Sequence, residues 1–160
     1  MKAARRLVAL SLVAMALQAI PALAEDGGLR VPKHAPWRSE CGGCHVPYPP
    51  GLLAAADWRK LMSRLDRHFG SNASLDDGTR QDIQRFLERH ASRSDRHASV
   101  DGRITTSRWF RSEHREVSGA TLRNIRIDSF SRCEACHTGA ADGRYGEREI
   151  RLPGDGETRR

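Results

Sequence analysis

The chain has 160 residues, 27 basic against 20 acidic, with a formal net charge of +7 and only 6% aromatic residues. Three of the basic side chains, Lys2, Arg5 and Arg6, and none of the acidic ones fall in residues 1–24, so the remainder carries a net +4. That modest charge, with no basic stripe interleaved with aromatics, excludes a nucleic-acid binder or a protein held by an anionic membrane surface.

In chain order, the first segment reads as an export leader. Lys2, Arg5 and Arg6 form a basic head, residues 7–17 are apolar apart from Ser11, and Ala22, Leu23 and Ala24 form a small-residue cleavage site. The apolar stretch is short for a membrane span, which needs about 20 residues. A signal peptide over residues 1–24, cleaved after Ala24, is expected, and with it a periplasmic location.

Next comes CGGCH at residues 41–45, and much later CEACH at residues 133–137; together they use all four cysteines. Cys-x-x-Cys-His is the pattern of covalent c-type haem attachment. Cys41 and Cys44, then Cys133 and Cys136, would each bind two haem vinyl groups, and His45 and His137 would meet the irons from one face. A Cys₄ zinc site would give no reason for a histidine after each pair. A thioredoxin-like pair would need a βαβ context that is missing. Two covalently bound haem c groups are therefore expected, and their propionates, about four carboxylates, would bring the holoprotein near neutrality.

Pro47, Pro49, Pro50 and Gly51 end any short helix carrying the first motif. Trp58, Leu61, Leu65 and His68 then follow at spacings of three and four, predicting a helix that stops at Gly70 with His68 on its apolar face. Ser74 and Asp76 or Asp77 signal the start of a second helix, with Ile83, Phe86, Leu87 and His90 on its inner side. The polar run at residues 91–99 and the Asp101-Gly102 turn signal suggest a boundary. It divides a first haem lobe, residues 25–100, from a second, residues 101–160. Lobes this small are marginal on side chains alone, so a buried porphyrin is expected to complete each core.

In the second lobe Phe110, His114 and Val117 share a helical face ahead of CEACH. Leu122, Ile125, Ile127 and Phe130 add apolar surface, and the glycine-rich, charged end reads as a loop and tail. The second axial ligand of each iron is constrained by composition. Met62 is the one methionine outside the leader, so two irons cannot both take methionine, and core packing suits it better. Of the histidines outside the motifs, His68 and His114 are the candidates for the haems of their own lobes. His90 competes for the first, His34 comes next, and His97, in the polar run, is expected to be solvated.

The run from Glu40 through CGGCH, residues 49–53, Trp58 and His68-Phe69-Gly70 resembles the dihaem cytochrome c family that partners the oxygen-binding sphaeroides haem protein. Ile104-Thr105, Trp109, His114-Arg115-Glu116 and CEACH resemble its second half. The resemblance implies a mainly α protein with a class I cytochrome c-like first lobe and a smaller haem-binding second lobe. It implies axial pairs His45 with His68 and His137 with His114, and low-potential electron transfer. The partners implied are redox proteins, a membrane cytochrome b-type donor and a small oxygen-binding haem protein. A haem enzyme or gas-binding protein with one open distal position is the alternative.

Overall fold

The computed structural model describes Leu29 and residues 31–153. The leader and its expected cleavage point after Ala24 lie outside the described residues. Among the described residues there are helices and short 3₁₀ turns, isolated bridges in place of strands, and no helix long and apolar enough to cross a membrane.

The first half is built around three helices. α1 (Ala35–Gly42) starts at His34, whose Nδ1 accepts the Trp37 amide at 3.1 Å, and has Pro36 in its first turn, where no helical amide is lost. α2 (Ala55–Met62) turns Trp58, Leu61 and Met62 inward. α3 (Asp77–Arg89) is capped by Asp76, which accepts the Thr79 amide at 3.0 Å, and buries Ile83, Phe86 and Leu87. These residues, with Trp37 and Leu53, form one continuous core. The proline-rich segment between α1 and α2 is held under it, because Trp58 Nε1 donates to the Pro50 carbonyl at 2.7 Å. Met62 is 4% exposed within that core, which accounts for it as packing.

The helix predicted to run to Gly70 ends at Met62. A 3₁₀ turn over Leu65–Arg67 follows, and His68 is not helical. The cause is local: the carbonyls of Leu65 and His68 accept the amides of Ala73 and Ser71, which takes them out of any helical ladder. Phe69 (φ 51°) and Gly70 (φ 99°) make the reversal. The polar run at residues 91–99 does not stand free either. Ser92 N donates to the Leu53 carbonyl, Ser99 N to Asp57 Oδ2, and His97 stacks on Trp109 with its Nδ1 2.8 Å from Ser92 Oγ.

α4 (Arg108–Glu113) and α5 (Gly119–Asn124) are short helices of six residues, each started by a serine: buried Ser107 accepts the Phe110 amide and Ser118 the Thr121 amide. The predicted face through Val117 is cut short, since α4 stops at Glu113 and His114 is its C-cap. Phe110, Leu122, Ile127 and Ala140 are the buried apolar residues here. The tail returns to the second motif. Arg151 N donates to the Cys136 carbonyl, and Arg38 of α1 pairs with Asp142.

Candidate functional site

Each Cys-x-x-Cys-His segment takes one tight turn. Cys41 sits in the last turn of α1, and Gly42 and Gly43 lead to Cys44 and His45. In the second motif the Cys133 carbonyl accepts the amides of both Cys136 and His137, at 3.2 and 2.8 Å. All four cysteines are unpaired with one another. Burial, with Glu40 beside one and Glu134 beside the other, pushes the thiols of Cys41 and Cys133 up to about 11; burial also raises Cys136. Among the described residues, no three histidine, cysteine or acidic side chains converge as a metal cage.

Histidines meet in two pairs. The rings of His45 and His68 have centroids 6.2 Å apart, and so do those of His114 and His137. With nitrogen-to-metal distances of about 2.1 Å, as for imidazole on zinc, two imidazoles across one ion have centroids about 6.4 Å apart. Each pair is therefore spaced to hold one iron.

The ring tautomers agree with that spacing. His45 Nδ1 lies 2.7 Å from the Val46 carbonyl, and His114 Nδ1 lies 3.0 Å from the Phe110 carbonyl. A carbonyl only accepts, so Nδ1–H donates in both and the Nε2 lone pair is left free. His68 and His137 are held below the ordinary histidine pKa by burial first and by the facing imidazole second. Their Nδ1 atoms are buried without a hydrogen-bond partner, as expected of rings placed for something besides protein contacts.

The competing histidines are engaged elsewhere. His34 caps α1 with Nδ1, meets Asp82 Oδ2 through Nε2 at 3.1 Å and stacks on Phe86, so both its nitrogens are used. His90 caps α3 and packs against Phe86.

Aromatic side chains wall both pairs. Tyr48 stacks on His45 at 4.5 Å, Phe69 tilts onto His68, Phe110 stacks on His114 at 3.9 Å, and Tyr145 packs on His137. The sequence reading missed these, although the chain's two tyrosines follow the motif histidines by three and eight residues. Beside His68 an open cleft of about 360 Å³ carries Arg64, Arg67 and Arg103, with the Arg103 guanidinium 4.4 Å over the Phe69 ring. Asp101 lines the same cleft, and the net positive charge that remains would suit the carboxylates of a haem edge.

The dihaem cytochrome c family model matches residues 37–145. Among solved structures, DHC purified from Rhodobacter sphaeroides is 38% identical, with a TM-score of 0.62 over 72% of this chain and 100% of that one. The diheme cytochrome type c of Shewanella baltica OS155 is 35% identical, with a TM-score of 0.67 over 78% of this chain and 96% of that one. No curated protein matches.

Proposed function

The chain belongs to the dihaem cytochrome c family and carries two covalently bound haem c groups, and from that premise we propose that it is a periplasmic electron carrier with both haems bis-histidine ligated. Cys41, Cys44, Cys133 and Cys136 are the attachment residues in this reading, and the axial pairs are His45 with His68 and His137 with His114. The observation that carries it is the spacing of the two imidazole pairs, 6.2 Å between centroids in each.

Haem, when bound, supplies reversible one-electron chemistry at iron. The protein's part is to hold the axial rings still. His45 and His114 are locked by their Nδ1–H bonds to backbone carbonyls, so each offers the same nitrogen in either oxidation state. Two histidines leave no position for a substrate, which favours a carrier over an enzyme. Histidine in place of methionine also favours a low potential. The leader at residues 1–24 supports export, and partner redox proteins, a membrane cytochrome b-type donor and a small oxygen-binding haem protein, would meet the exposed haem edges.

The test is optical and electron paramagnetic resonance spectroscopy of the ferric and ferrous holoprotein. Two low-spin, six-coordinate haems are expected. Rapid carbon monoxide binding by the unmutated ferrous protein would overturn the reading in favour of a ligand-binding or peroxidase-like haem protein.

A further inference from the structure

Tyr48 touches both motifs. Its ring lies 15° from parallel with that of His45, at a centroid distance of 4.5 Å. Its hydroxyl donates to the Ser131 carbonyl at 2.7 Å, across 83 residues of sequence and two residues before Cys133. The carbonyl can only accept, so the phenol is the donor. Tyr145 packs on His137 at 5.3 Å. One side chain thus backs the first motif's histidine and pins the main chain entering the second motif.

We propose that Tyr48 is the positioning residue that couples the two haem sites, setting the orientation of His45 and the placement of the Cys133 segment together. The proposal rests on the reading of His45 as an axial ligand. A tyrosine serving only to fill space would need no hydroxyl on a backbone carbonyl of the segment leading into the other motif. Phenylalanine would fill that space without having to satisfy a polar atom.

The test uses Tyr48→Phe and Tyr48→Ala in the full holoprotein. Tyr48→Phe keeps the stack and loses the donor. The amides of Ala135, Cys136 and His137 are then expected to exchange with deuterium about fivefold faster, the factor given by one ordinary hydrogen bond. Electron exchange between the sites of the half-reduced protein, in which one iron is oxidised as the other is reduced, is expected to slow several-fold while both haems remain low-spin. Tyr48→Ala is expected to change the paramagnetically shifted resonances of His45 as well. Unchanged amide exchange and unchanged inter-site exchange in Tyr48→Phe would overturn the proposal, whether or not Tyr48→Ala folds. Failure of the ligation reading shows separately, as a high-spin signal in the unmutated protein.

Discussion

The imidazoles of His114 and His137 cross at 76°, whereas those of His45 and His68 lie 24° from parallel, although both pairs have the same centroid separation. Near-parallel axial rings donate into the iron along one direction and split its two π-type d orbitals. Crossed rings donate along both directions and leave those orbitals nearly equal in energy. Under the proposed ligation the two sites would then be spectroscopically unlike. Low-temperature electron paramagnetic resonance of the ferric protein is expected to show two signals of equal weight. The rhombic one belongs to the first site, and the strongly anisotropic one, with a single low-field feature, to the second. Two identical rhombic signals would contradict the crossed geometry.

Removing one distal ring should open one iron only. His68→Ala is expected to make the first haem high-spin and reactive with carbon monoxide while the second stays low-spin, and His114→Ala should do the reverse. His34 cannot substitute, because its two nitrogens are held by the Trp37 amide and Asp82. A wholly low-spin spectrum in His68→Ala would therefore point to His90.

The two motifs were legible in the sequence because covalent attachment demands fixed local spacing, which survives any fold. Helical periodicity brings His68 and His114 forward as candidates, and their ring centroids lie 6.2 Å from those of His45 and His137. The helices behind that argument nevertheless stop short: His68 lies six residues beyond the end of α2, and His114 caps α4. The turn at residues 65–73 takes its carbonyls by backbone pairing, for which apolar spacing carries no signal. The roles of Tyr48, Tyr145 and His97 were hidden for a related reason. Tyr48 depends on where a distant segment passes, at the Ser131 carbonyl, and His97 on Trp109 beyond the next turn, while Tyr145 meets His137 through an irregular loop that carries no period.

The Asp101-Gly102 turn, readable as a turn signal, also marks a site of close approach. Both residues have positive φ, 55° and 76°, and a Cβ on Gly102 would come within 2.7 Å of Leu61 Cγ in the core. Left-handed backbone and overpacking then act together, so Gly102→Ala is expected to cost about 2–4 kcal/mol. Thermal unfolding of the holoprotein should show a fall of roughly 10 °C. Gly146, at φ −64° with open space around it, provides the contrast: Gly146→Ala should leave the midpoint nearly unchanged. Equal midpoints for the two variants would mean that Leu61 moves aside without penalty.

His97 gives the fold a pH dependence outside the haem sites. Burial lowers its pKa first and Arg96 lowers it further, while Glu113 opposes them; Trp109 and Ser92 are its other neighbours. The unfolded chain, with histidine near pKa 6.5, therefore takes up a proton at a higher pH than the folded one. Neutral His97 contributes its stability in full above about pH 6.5. That contribution begins to fall as the pH drops through this value and is exhausted once the pH lies below the folded pKa. Asparagine can keep a hydrogen bond to Ser92 Oγ without titrating, though it loses the stack on Trp109. His97→Asn is thus expected to start from a slightly lower melting temperature at neutral pH and to decline less steeply than the parent as the pH falls below about 6.5. Parallel melting curves for parent and variant across that range would show that His97 takes no part in the acid sensitivity.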